Sequence, residues 1–226
     1  ALQSLAAGAL VVLWLAILIG IPKGVVLTPS TADAPVAKGF SSNKAFWLIG
    51  LCVALAMNVA IVLAVCYPPL FASKGYNMVD AGWFLALAGM TGLVGKSCLA
   101  WLGDDVRHYV KWLAAAMLVL QSAGLGLLFT AADVSEMIPA MCLLGFSGGA
   151  FLPMHPYLNS RYFDASIISQ VTGAQMPLFL PFGLVGAPLA GYAFDQTGNY
   201  NAVLMALAAT LCLAALLALG LPKQAN

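Results

Sequence analysis

Seven apolar runs dominate the chain, at residues 3–21, 46–69, 80–102, 109–130, 136–157, 167–193 and 200–221. Each approaches or exceeds the ~20 residues that a helix needs to cross a bilayer. Every charged residue except Lys96 falls between these runs or at their ends. In hydrocarbon a backbone must satisfy its own N–H and C=O groups, so runs of this length are expected to be helices. Charged residues make up 8% of the chain, against about 25% in a soluble domain. The expected fold class is therefore an all-α polytopic membrane protein whose first partner is the lipid bilayer.

Composition also excludes several function classes. The net charge is +1 and no cluster of lysine and arginine forms a phosphate-binding surface, so nucleic acid is not an expected partner. Cys52, Cys66, Cys98, Cys142 and Cys212 all lie in apolar segments without metal-ligand spacing, and read as small buried hydrophobes. No nucleophile elbow, phosphate loop or metal cluster occurs. "GLVGKS" has the wrong spacing for a phosphate loop and lies inside an apolar run. No enzyme activity, metal or cofactor is expected.

The segments between the runs set the organisation. Residues 22–45, rich in Pro, Ser, Thr and Gly, form the one long polar stretch and read as a linker between two membrane bundles. The later connections are short, which makes successive helices antiparallel neighbours. With the linker in the cytoplasm, seven of the nine lysines and arginines fall on that side: Lys23, Lys38, Lys44, Arg107, Lys111, Arg161 and Lys223. Lys74 alone faces the other side, and Lys96 lies within a run. That bias places the C-terminus in the cytoplasm and Ala1 outside. The chain opens in apolar sequence without an initiator Met or a positive leader, and is expected to be a piece of a longer protein. On this reading 1–21 ends one membrane bundle, 22–45 is the linker, and 46–226 is a six-helix second bundle.

Those six runs form two triplets. "VCYPPLF" (65–71) closes the first run of one, and "FLPMHPYL" (151–158) closes the first run of the other. Each carries two prolines and a tyrosine, an echo expected of the internal repeats of transporters.

Lys96 is the residue whose chemistry most needs explaining. It lies six residues before Leu102, or roughly 9 Å from the helix end at 1.5 Å per residue. A lysine stem covers only part of that distance. On a helix, Gly89, Gly92, Lys96, Ala100 and Gly103 share a stripe. Small residues mark a face that packs on protein or borders a cavity, so Lys96 is expected to point inward. An intramembrane charge on such a face marks a substrate or ion pathway; the alternative is a structural charge paired with Asp104 or Asp105. Asn58 and Gln175 lie within runs as possible solute ligands or as helix–helix hydrogen bonds. His155, between two prolines, is a possible proton relay or a neutral buried histidine. Tyr67 and Tyr157 are possible cavity residues or members of an interface belt. Gly145 and Gly149 in "GFSGGAF" permit close backbone approach. Pro177 and Pro181 make the 167–193 helix a moving part.

Together these features resemble the major facilitator superfamily, over nearly the whole chain. In "GAPLAGYAFDQTGNYNAVL" (186–204), Gly191, Asp195, Thr197, Gly198 and Tyr200 match the family's G-x-x-x-D-x-T-G-x-Y turn between helices eleven and twelve. "LAWLGDDVRHYVKW" (99–112) is similar to the family's loop between helices eight and nine. There Asp104 fits the pattern, whereas Ala100, Asp105 and Arg107 stand where Gly, Arg and Gly are usual. The "GFSGGAFLPMHPYLNSRYFDAS" segment looks most like the monocarboxylate porter and oxalate/formate antiporter branches. Their proteins often carry an anion-binding arginine at the position of Lys96; lysine keeps the charge but loses the bidentate geometry. Gly92 stands where the porters often have an acidic residue, and Phe179 near a lysine of the oxalate-type relatives. The resemblance implies gating roles for Asp104, Arg107, Asp195 and Gly198, and an absent N-terminal half as partner. It implies secondary transport of a small organic anion, such as a monocarboxylate, with a proton across the cytoplasmic or plasma membrane. Two alternatives stay open: efflux of a neutral or amphiphilic compound with Lys96 structural, and a scaffold that binds without transporting.

Overall fold

The computed structural model describes residues 39–102, 105 and 107–222. The run at 3–21, the linker before Gly39, Asp104 and Lys223 lie outside them. Among the described residues, six helical segments are long and apolar enough to cross a membrane. They comprise α1 (Lys44–Ser73), α2 (Met78–Leu102), α3 (Val110–Thr130), α4 with α5 (Val134–Phe151, Met154–Tyr162), α6 with α7 (Ile168–Gln175, Leu180–Thr197) and α8 (Asn201–Leu219).

Local chemistry sets the ends. Asn43 starts α1 by accepting a hydrogen bond from the Ala45 N–H at 2.9 Å, and Asp133 starts α4 by accepting from the Glu136 N–H at 3.1 Å; both are favoured N-cap residues. α1 outruns the expected end at 69, because Pro68 and Pro69 lie inside it. Each proline removes a donor from the preceding turn, a loss that helices tolerate within a membrane bundle.

The two proline-rich crossings are broken where the sequence analysis has single runs. In the run expected at 167–193, Met176–Phe179 tightens into a 3₁₀ turn between α6 and α7. Pro177 and Pro181 lack the N–H groups that would reach Gly173 and Pro177. The Met176 and Leu180 N–H groups take over those two carbonyls from three residues away, which is the 3₁₀ pattern. The other crossing breaks at Leu152 and Pro153 before α5. At the end of α7, Gly198 adopts φ +70° and its N–H reaches the Phe194 carbonyl. This left-handed closure explains the glycine of the D-x-T-G-x-Y turn. Beyond it, Tyr200 is buried and stacks on Phe194 at 4.5 Å between ring centroids.

The triplets interlock. α1 packs on α7 and α8, α4 packs on α2 and α3, and the third helices α3 and α8 pack on each other. The first helix of each triplet thus sits between the second and third helices of the other, as expected for repeats related by a pseudo-two-fold axis. Ile49, Leu118, Leu125, Met137, Met141 and Leu211 fill the shared core. α2 and α7 lie at the rim, with Trp83, Met90, Trp101, Leu184 and Tyr192 exposed.

Candidate functional site

The contact of α2 with α4 is built from glycine. A Cβ placed on Gly95 would collide with the Phe146 carbonyl, one on Gly145 with the Ala88 carbonyl, and one on Gly149 with the Gly92 backbone. A Cβ on Gly92 would sit 3.1 Å from the Gly145 carbonyl oxygen. Small residues let two backbones touch in this way. The side chains just beyond the contact are then left around a hollow rather than inside a filled core.

That hollow is a cavity of about 390 Å³ walled by α1, α2, α3 and α4. Ala56, Leu63, Ala88, Leu144 and the glycines supply apolar and backbone walls, and Lys96, Gln121 and Tyr67 supply the polar groups. Lys96 is exposed, and its ammonium makes no ion pair or hydrogen bond among the described residues. An adjoining crevice of about 590 Å³ runs past the same lysine, lined by Leu99, Ala100, Pro153, Pro156 and Tyr157. The Tyr67 ring continues the wall outward, stacked on Phe71 at 5.5 Å. A mostly apolar pocket with a few convergent polar groups is the usual form of a small-solute site.

The remaining residues singled out in the sequence lie elsewhere. Asn58 borders a separate crevice of about 300 Å³ between α1, α7 and α8. Its Oδ1 is buried without a partner and faces the bare Cα of Gly186. Gln175 is fully buried in a polar knot. Its Nε2 donates to the Phe46 carbonyl at 2.9 Å, and its Oε1 accepts from Asn159 Nδ2 at 2.9 Å and lies 2.8 Å from His155 Nε2. Asn159 also donates to Thr172 Oγ1. His155 is buried with its ring edge toward Phe179, 5.8 Å between centroids. This knot ties α1, α5 and α6 together. Asp195 is exposed in the last turn of α7, just before Gly198, and Arg107 opens a 3₁₀ turn before α3.

The opposite ends carry their own electrostatics. Lys74, just past α1, donates to the Ala131 carbonyl at 2.8 Å. Partial burial lowers its pKa, and the nearby Glu136 carboxylate pushes the other way. The Ser135 hydroxyl and the Glu136 N–H hold the Asp133 carboxyl below its ordinary value.

Gln121 is the cavity residue that sequence reasoning missed. The available signal was an amide in the middle of the 109–130 run, in "LVLQSAG". The neighbouring Ser122 bonds the Ala208 carbonyl of α8, whereas Gln121 turns to the cavity.

No protein-family model matches the chain. Similarity to individual proteins is consistent. The chain is 30% identical to rat monocarboxylate transporter 13 over 128 residues, 57% of this chain and 30% of that protein. It is 24% identical to mouse monocarboxylate transporter 12 over 190 residues, 79% of this chain and 38% of that protein. With human monocarboxylate transporter 11 the identity is 25% over 202 residues, 86% of this chain and 43% of that protein. The chain is similar to these monocarboxylate transporters over part of their length. It spans between 30% and 43% of the length of these three relatives. With six helices able to cross a bilayer, it is an integral, multi-pass membrane protein.

Proposed function

We propose that this chain forms one half of a secondary transporter that moves a small organic anion, such as a monocarboxylate, together with a proton. The unpaired Lys96 ammonium in an apolar-walled cavity carries this reading. A charge at membrane depth is costly, and an anionic solute that pairs with it relieves that cost while being recognised. A single cation suits a monoanion better than a dianion. The names of the relatives support the same class of solute. The interlocked six-helix bundle is suited to rocking as a unit against an N-terminal half that supplies the other cavity wall. The lysine and arginine bias puts the C-terminus in the cytoplasm.

The test is uptake of small carboxylates by the complete protein in proteoliposomes under a proton gradient. Removing one partner of a desolvated charge pair costs about 2–5 kcal/mol, so Lys96→Ala lowers carboxylate uptake roughly 30-fold or more while Lys96→Arg retains it. An Ala variant that inserts and matches wild type overturns the anion reading. The apolar crevice of Leu99, Ala100, Pro153 and Pro156 beside Lys96 favours a second reading, efflux of an amphiphilic compound with Lys96 structural. Under that reading, neutralising Asp104 or Asp105 restores the activity of Lys96→Ala.

A further inference from the structure

We propose that Gln121 is the second contact of the solute in the Lys96 cavity, and that it selects organic anions bearing a neutral hydrogen-bonding group, such as a hydroxyl, remote from the carboxylate. The proposal rests on the anion reading of Lys96 and extends it to specificity.

Gln121 is 6% exposed, lines the cavity, and has no hydrogen-bond partner for its amide among the described residues. Its amide atoms are open to the cavity, unlike the sealed and partnerless Asn58 Oδ1. Gln175, which is fully buried, is by contrast bound by three protein groups. The amide of Gln121 is therefore free for a partner that enters from the cavity. Gly148 makes this orientation possible: a Cβ there would sit 3.3 Å from Gln121 Nε2, tighter than an ordinary contact.

α4 serves as a ruler for the separation of the two polar groups. Gly145 and Gly149 meet Gly92 on one side, and Gly148 meets Gln121 on the other. Lys96 lies one turn beyond Gly92, so its backbone and that of Gln121 are offset by about one helical turn, roughly 5 Å along the bundle axis. A short anion can place its carboxylate at Lys96 and a second group at Gln121. The amide offers one donor face and one acceptor face. A hydroxyl satisfies both faces, a methyl neither, and a second carboxylate finds no second cation. A site built around a hydrogen bond rejects the analogue that lacks the group.

The experiment compares 4-hydroxybutyrate with butyrate as competing solutes for the full-length protein in proteoliposomes. Wild type is expected to prefer the hydroxylated anion at least about tenfold in kcat/KM, and Gln121→Leu to bring that ratio close to one. Gly148→Ala keeps the amide but crowds it, and is expected to lower the ratio as well; it also serves if the Leu variant does not insert. An equal ratio in wild type and both variants overturns the proposal. If Lys96→Ala abolishes butyrate uptake while the ratio ignores Gln121→Leu, the Gln121 assignment alone fails. If Lys96→Ala leaves butyrate uptake intact, or neither anion is carried, the anion reading fails and this proposal falls with it.

Discussion

Replacing Gln175 by leucine separates a residue that holds the bundle together from one that touches solute. The side chain is fully buried and joins the Phe46 carbonyl of α1 to Asn159 and His155 of α5. Leucine keeps most of the volume and removes all three bonds. Interhelical hydrogen bonds in membrane proteins average about 0.6 kcal/mol, so these three together contribute on the order of 2 kcal/mol. Stranding His155 and the second bond of Asn159 raises the cost to about 2–4 kcal/mol. For a chain of this size, 1 kcal/mol moves Tm by about 2–4 °C, so Gln175→Leu should lower it by roughly 4–16 °C. The assay is heating of the detergent-purified full-length protein, with the folded fraction measured by size-exclusion chromatography. A double-mutant cycle with Asn159→Leu isolates the shared bond, because residues in one network fail to add. A Tm unchanged by Gln175→Leu, with strict additivity in the cycle and a raised KM for solute, would refute the structural role and return Gln175 to the solute site.

Two further perturbations test the packing and the N-cap of α4. Gly149→Ala drives a methyl into the Gly92 backbone and should cost about 1–3 kcal/mol, whereas Gly126→Ala meets nothing within 4 Å and should stabilise α3 by up to about 1 kcal/mol; thermal unfolding of both variants reads the opposite signs. The Asp133 carboxyl is held below its ordinary value of 3.8 by the Ser135 hydroxyl and the Glu136 N–H. Its stabilising effect is therefore present above the unfolded-state pKa and lost as pH falls through the lower folded value. The Tm gap between wild type and Asp133→Ala should be steady near neutral pH and close in strong acid; a gap unchanged by acid would show that the cap does not depend on ionisation.

The six crossings among the described residues were legible in the sequence because hydrocarbon imposes one simple demand, ~20 apolar residues bounded by polar ones. The demand is met so uniformly that the runs place the helices within a few residues of Met78–Leu102 and Asn201–Leu219. The same uniformity hides the faces. A helix that is apolar all round buries or exposes any side equally well in lipid, so periodicity does not distinguish a lipid face from a packed one. Of the expected stripe through Gly89, Gly92, Lys96 and Ala100, Gly92 packs on α4 while Gly89 meets nothing within 4 Å. Gly95, which lies off that stripe, nevertheless meets the Phe146 carbonyl of α4. Pro177 and Pro181 signalled a special helix, but the 3₁₀ turn at Met176–Phe179 depends on which carbonyls find new donors.

Sequence alone therefore determined the all-α class, the six described crossings and the place of Lys96 inside an apolar run, because these follow from the energy of each residue in lipid. Only the tertiary structure decided which polar residues share a cavity. It joined Lys96 to Gln121 and Tyr67, sent Asn58 to a separate crevice between α1, α7 and α8, and tied Gln175 and His155 into the knot beside Phe46. The reason is that a cavity is defined by the relative rotation of four helices. That rotation is set by contacts such as Gly145 and Gly149 on Gly92, between residues more than fifty positions apart.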